Sequence, residues 1–229
     1  MGKIYKVAAF DLDGTLMDTS PGIISSVKHT IDLLGLRALS LSEMQSFIGP
    51  PMQDSFERAF GLSREEAWDA AGVFREEYKK EENLLLARPY DGIFEVMKTL
   101  KENGVIPVIA TYKRCDYALS LLKHFGFHNY TDIIYGSDFE GKLKKKDIIL
   151  KAITDAGANP DNADGTGFSS VVMVGDSDND AIGAAQIGAD FIGVTYGFGF
   201  KCDDDVRRFE HIGIASDTRG IADIILQGI

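Results

Sequence analysis

Two carboxylates, Asp11 and Asp13, stand two positions apart directly after the apolar run Val7-Ala8-Ala9-Phe10, and Gly14-Thr15 follows them. In an extended segment residues i and i+2 point to the same side, so both carboxylates can face one ligand. Like charges that close need a cation or a proton between them. A carboxylate so placed is equipped for nucleophilic attack or for general acid–base work. The stretch Val174-Gly175-Asp176-Ser177-Asp178-Asn179-Asp180 repeats the pattern, with acidic residues again following an apolar run. Asp176, Asp178 and Asp180 match the first three ligand positions of a calcium-binding EF-hand loop. Ala181 stands where that loop needs Gly, however, and Ile187 where it needs its closing Glu, so that reading is excluded.

Two further features supply groups that bind anions. Thr111 follows the apolar residues 105–110 and precedes a helical pattern, where its hydroxyl and a backbone N–H can meet a phosphate oxygen. The basic run 142–146 precedes Asp147-Ile148-Ile149-Leu150, and in so acidic a chain one of its lysines is the candidate to neutralise a bound anion. Acidic pair, hydroxyl, lysine and acidic pair, in that order, describe a magnesium site beside a phosphate site. Hard carboxylate oxygens suit Mg²⁺, which keeps several waters and takes few protein ligands.

These groups need a scaffold that brings them to one edge. The apolar runs at 7–10, 105–110, 132–135, 171–174 and 191–194 are short and lack polar alternation, as expected of strands covered on both faces. From Arg88 onward they alternate with helical patterns, which predicts parallel strands joined by crossovers. In such α/β sheets ligands collect at the carboxyl ends of the strands. Between the first strand and the second, residues 19–82 carry helical periodicity throughout. Thr19 or Ser20 can cap a helix containing Pro21, with Ile23, Ile24, Val27, Ile31 and Leu34 along one side and Gly35 at its end. Ser40 or Ser42 opens a second helix. Ile48-Gly49-Pro50-Pro51 breaks the pattern, and Ser63-Arg64-Glu65-Glu66 is a capping box for a helix running to about Lys80. The charged run 76–82 reads as a solvated face. The expected organisation is therefore an α/β fold, with residues 1–16 and 88–229 forming a parallel-sheet domain. Residues 17–87 form an all-helical insert over its carboxyl edge, and 159–170 are a polar loop.

With 229 residues and 45% hydrophobic content, the chain can bury an ordinary core. A net charge of −11 argues against nucleic acid or an anionic membrane as the main partner. Two cysteines, Cys115 and Cys202, sit in no metal-binding or disulfide pattern, and no stretch has the length of a signal peptide core or a membrane span. A cytoplasmic protein with reduced thiols is expected.

The four motifs, in this order, resemble those of the haloacid dehalogenase superfamily, and the helical insert resembles its C1 cap on a Rossmann-like core. The Asp11-Leu12-Asp13-Gly14-Thr15 form is similar to that of the phosphatase branch. Phe47-Ile48-Gly49-Pro50-Pro51, Arg88-Pro89-Tyr90-Asp91-Gly92 and Leu122-Lys123-His124-Phe125-Gly126 resemble the group of phosphoglycolate phosphatases and 5'-nucleotidases. The resemblance implies hydrolysis of a small phosphorylated metabolite, of the phosphoglycolate or nucleoside 5'-monophosphate type. It implies Asp11 as the nucleophile that forms an aspartyl-phosphate and Asp13 as general acid and then base. Mg²⁺ would be held by the Asp11 carboxylate, the Asp13 backbone carbonyl and Asp176, with Asp180 behind them or acting through water. Thr111 and one lysine would bind the phosphoryl group. The family's spacing selects Lys145, while Lys142 and Lys144 remain the alternatives. Two other functions fit the same motifs: a sugar-phosphate mutase similar to β-phosphoglucomutase, and a binding protein that kept the fold without catalysis. A monomer or homodimer is expected. Relatives commonly carry Thr-[Ser/Asn]-Lys-Pro where this chain has Thr111-Tyr112-Lys113-Arg114, a change that bears on the pocket mouth.

Overall fold

The computed structural model describes residues 3–139, 141–163, 165 and 167–227. Strand β1 (Val7–Phe10) lies inside the main sheet, and every one of its residues is buried. Short strands β2 (Met17–Asp18) and β3 (Arg88–Pro89) pair antiparallel and bracket five helices: α1 (Ser20–Leu34), α2 (Leu41–Gln45), α3 (Met52–Phe60), α4 (Arg64–Tyr78) and α5 (Glu81–Leu84). The chain then continues through α6 (Ile93–Glu102), β4 (Ile106–Arg114), α7 (Cys115–His124), β5 (Ile134–Ser137), α8 (Lys145–Asp155), β6 (Val171–Gly175) and α9 (Asp178–Ile187). It ends with β7 (Asp190–Val194), α10 (Asp203–Val206), β8 (Gly213–Ala215) and α11 (Arg219–Leu226). The main sheet has six strands in the order β5-β4-β1-β6-β7-β8, all pairings parallel. This is the expected α/β architecture of Rossmann-like type.

Alternation along the strands builds two separate cores. Ala8 and Phe10 of β1, Ile109 of β4 and Val172 and Val174 of β6 face one side, where α6, α7 and α11 contribute Met97, Leu121 and Ile221. Val7, Ala9, Val108 and Met173 face the other, against Ile148, Ile149 and Ala152 of α8 and Ala184 of α9. Side chains of successive strand residues point to opposite faces, so the unalternating runs read from the sequence are those of a sheet covered on both sides. The first core continues into the helical insert through Phe47, Phe56 and Phe74. Phe47 and Phe56 meet edge to face at 5.0 Å between ring centroids. Truncating either to Ala would cost about 3–5 kcal/mol.

Local signals set some of the helix starts. Ser40 and Ser63 both cap through reciprocal boxes with Glu43 and Glu66. Gly35 ends α1 in the left-handed region at φ +63°. Other expectations need correction. Thr19 occupies the cap position of α1 without capping it, because its hydroxyl donates to Asp13 Oδ1 at 2.6 Å instead. Helix α4 ends at Tyr78, close to the expected Lys80, but Tyr78 is buried rather than part of a solvated face. β4 runs on to Arg114, past the expected end at residue 110. The register shifts between Ala110 and Arg114 opposite β5, where Gly136 lets the strands close up; a Cβ there would collide with Lys113 O and the Cys115 backbone. β8 was not foreseen, its three residues being too few to leave a periodic signal.

Candidate active site

The parallel register aligns the strand ends. Phe10 pairs with Ile109 on one side and with Val174 on the other, so the residues that follow all three strands emerge at one edge. Asp11 leaves β1 there, its amide donating to Val174 O at 3.0 Å. Lys145 opens α8, and its ammonium donates to Asp11 Oδ1 at 2.6 Å while lying 2.7 Å from Asp180 Oδ1 in α9. The Lys145 amide also donates to the Tyr112 hydroxyl at 2.9 Å, which ties the start of α8 to β4. Asp176 follows β6, and its Oδ2 accepts N–H bonds from Phe198 at 2.6 Å and Gly199 at 3.0 Å. Asp11, Asp176 and Asp180 can each offer an oxygen within 4.8 Å of the others, and all three are buried.

Around Asp13 a second set assembles. Its Oδ1 accepts from Thr19 at 2.6 Å and lies 2.9 Å from the Lys113 ammonium, which itself donates to the Tyr78 hydroxyl at 3.0 Å. Thr111 is buried, and its Oγ1 accepts the Lys113 amide at 3.1 Å. Gly14, at φ +89°, adopts a backbone that other residues rarely take, and a Cβ there would collide with Asp176 Oδ2.

The electrostatics of the cluster are unbalanced. Burial pushes Asp11 up to about 7, with Lys145 working against the rise and Asp180 and Asp13 adding to it. Burial pushes Asp176 to about 8, helped by Asp180 and Asp11 and opposed by the Gly199 and Phe198 amides. For Lys145 and Lys113 burial favours loss of the proton, but the adjacent carboxylates outweigh it and hold both lysines above their ordinary value. Asp11, Asp13, Asp176 and Asp180, all buried, thus face two buried ammoniums, which leaves two carboxylate charges uncompensated when all four are ionised. A divalent cation among hard oxygen donors meets that deficit, so the residues present fit Mg²⁺.

Of the residues singled out in the sequence, Asp11, Lys145 and Asp176 lie in one cluster with Asp180. Asp13 sits just beyond it with Lys113, and Thr111 belongs to the same strand end. Lys142 and Lys144 are exposed at the approach to α8. Lys113 has a place in the second sequence motif but no role there, and Tyr78 and the Phe198 and Gly199 amides have neither. Only the lysine offered a signal, in its place two residues after Thr111 on a strand.

The chain matches the family model of haloacid dehalogenase-like hydrolases over residues 8–194 and belongs to that family. It is 31% identical to a 5'-nucleotidase of Pseudomonas aeruginosa over 96% of both chains. It is 29% identical to a phosphoglycolate phosphatase of Neisseria gonorrhoeae, covering 90% of this chain and 88% of that one. A crystal structure of a predicted phosphatase from Clostridium acetobutylicum superposes with a TM-score of 0.87 at 32% identity, covering 98% of this chain and 99% of the other. The class is that of a phosphatase.

Proposed function

We propose that this phosphatase hydrolyses small phosphomonoesters by covalent catalysis, with Asp11 as nucleophile and Mg²⁺ as its cation. The reading rests on one observation above all: Lys145 bridges Asp11 and Asp180 at the rim of a buried acidic cluster, so cation and anion sites adjoin. The two relatives named above support a small phosphorylated metabolite as substrate. Residues 1–16 and 88–229 act as the catalytic core and 17–87 as a cap over it.

An Asp11 oxygen attacks phosphorus, and the bond from phosphorus to the leaving oxygen breaks. Asp13 delivers its proton to that oxygen, then takes one from the water that attacks the aspartyl-phosphate, and inorganic phosphate leaves. Thr111 and Lys145 hold the transferring phosphoryl group, Thr111 through the hydroxyl proton that its bond from the Lys113 amide leaves unused. Lys113 and Thr19 keep the Asp13 carboxylate in place through both steps. Asp11, the Asp13 carbonyl and Asp176 would hold Mg²⁺, with Asp180 beside them, and the bound ion would neutralise the carboxylates and polarise a phosphoryl oxygen. Helices α1–α5 keep bulk water off the intermediate.

Phosphate release from p-nitrophenyl phosphate, measured with Mg²⁺ and with EDTA, tests the reading, together with hydroxylamine trapping of the acyl phosphate. Turnover that needs the ion and yields the Asp11 hydroxamate is expected. Turnover that persists in EDTA, or hydrolysis with no trapped adduct on Asp11, overturns it. Phosphate release without an added sugar bisphosphate separates a phosphatase from a mutase.

A further inference from the structure

The cleft lined by Asp13 and Lys113 holds a cation that phosphoryl transfer does not use. It opens between the Gly49-Pro50-Pro51 break, α4 and the end of β4, and has a volume of about 730 Å³, its open mouth included. Arg75 and Tyr78 both line it, three residues apart on α4 and so on one face of that helix. Arg75 lies about one helical turn from Tyr78, whose hydroxyl accepts from Lys113, the cation beside Asp13, and all four residues line this one cleft.

Among the described residues, the surroundings of Arg75 are those of an unmet charge. Its guanidinium donates to Gln53 Oε1 at 3.1 Å and lies 4.7 Å from the Trp68 ring centroid, and among the described residues it pairs with no carboxylate. A half-buried guanidinium without a counter-anion is costly, the more so in a chain with 35 acidic side chains to draw on. Burial, followed by the like charge of Arg114, holds Arg75 below its ordinary value. Arg114 itself is already served, forked onto Asp116 at 2.7 and 2.6 Å. Asp138, a carboxylate of the cleft rim, is occupied by the Lys142 and Leu143 amides.

Two aromatic rings of the lining are already engaged. Arg114 lies over Tyr117 at 4.0 Å and over Phe139 at 4.9 Å, so a guanidinium already occupies those faces. We infer that Arg75 binds a second anionic group, a carboxylate or a further phosphate, on the leaving-group side of the substrate. The preferred substrate is then a phosphomonoester charged at both ends. This deepens the phosphatase reading above and rests on it.

The experiment compares wild type, Arg75→Gln and Arg75→Lys on phosphoglycolate, on a bisphosphorylated sugar and on AMP and monoethyl phosphate, whose far ends are uncharged. Wild type should favour the doubly anionic esters. Arg75→Gln should lower that preference by about ten- to a hundredfold, the worth of a charge-assisted hydrogen bond, chiefly through KM. Arg75→Lys should recover part of it. The carboxylate and bisphosphate arms show which anion Arg75 prefers. Equal losses on all four esters, or a wild type that favours AMP, overturn the inference. Binding of phosphoglycolate and monoethyl phosphate is measured as well, in an Asp11→Asn background with and without Arg75→Gln. Selective binding that depends on Arg75, together with a wild type that hydrolyses none of the four esters, would defeat the phosphatase reading and leave the anion site standing. Binding indifferent to Arg75 removes the site whatever the turnover.

Discussion

The Lys113 ammonium lies 2.9 Å from Asp13 Oδ1 and donates to the Tyr78 hydroxyl at 3.0 Å, so one buried cation joins the end of β1 to helix α4. The position of Asp13 and the seating of the helical insert are thereby linked. Tyr78 adds its ring, with the Lys113 ammonium 4.9 Å from the centroid. Lys113→Met should therefore lower kcat by about tenfold or more, as loss of a group that orients an acid–base residue does. It should also destabilise the fold by about 3–5 kcal/mol, because Asp13 is left buried without its cation. Tyr78→Phe keeps the ring and should cost less on both counts. Kinetics on p-nitrophenyl phosphate and thermal unfolding check this, and a Lys113→Met enzyme with wild-type kcat would remove Lys113 from any positioning role.

Asp11→Asn should abolish turnover, with a loss of at least about a hundredfold. The same change takes a charge out of a cluster where burial already opposes it, so the metal-free protein should unfold at a higher temperature than wild type at pH 8. Single-turnover assays and calorimetry read the two effects separately. Residual activity near the wild-type rate would move the nucleophile elsewhere.

The acidic cluster also sets the pH dependence of the metal-free protein. Asp11 is held up at about 7 and Asp176 at about 8, so the folded state keeps protons that the unfolded chain releases near pH 4. Stability conferred by those protons is complete below about pH 4 and is lost as pH rises through 7 and 8. Mg²⁺ bound in the cluster would replace the protons, so the rise in Tm it produces should be larger at pH 8 than at pH 5. An equal rise at both values, or a metal-free Tm that climbs between them, contradicts this account of the cluster. Acid unfolding of exposed ion pairs is avoided by starting at pH 5.

Within the basic run, Lys145→Ala should weaken turnover and inhibition by inorganic phosphate together, whereas Lys142→Ala should change little. Lys145 is buried between two carboxylates, and the Lys142 side chain is exposed. Comparable, small effects at both positions would return the run to an ordinary solvated stretch.

Gly14→Ala tests the approach of the β1 turn to Asp176. The added Cβ meets Asp176 Oδ2 at a backbone φ of +89°, so something in the cluster must shift. Affinity for Mg²⁺ should fall by about tenfold or more, with a smaller effect on the overall fold. Calorimetric titration of the ion into the variant measures this, and unchanged affinity would dissociate Gly14 from the cation site.

Much of this protein is written in short-range pattern. Short apolar runs without polar alternation, followed by Asp11 and Asp176, announced strand ends that carry carboxylates, and the capping box at Ser63 announced a helix start, because both signals act over a few residues. The parallel α/β class follows from their alternation. Tertiary structure decided which side chains meet. Lys145 and Asp11 are 134 residues apart, and the β4-β1-β6 register with the packing of α8 brings to Asp11 the lysine at which the family's spacing points. Tyr78 lies in a run of charges that looks solvated, and it is buried because α4 docks against the end of β4. Lys113 is an Asp13 partner because β4 continues through it to Arg114, beyond the apolar run that marks the strand in the sequence. The Phe198 and Gly199 amides reach Asp176 through a loop with no side-chain signature, since a backbone donor is the same in every residue but proline. Periodicity belongs to the sequence because it depends on local geometry, and convergence belongs to the fold because it depends on register and crossover.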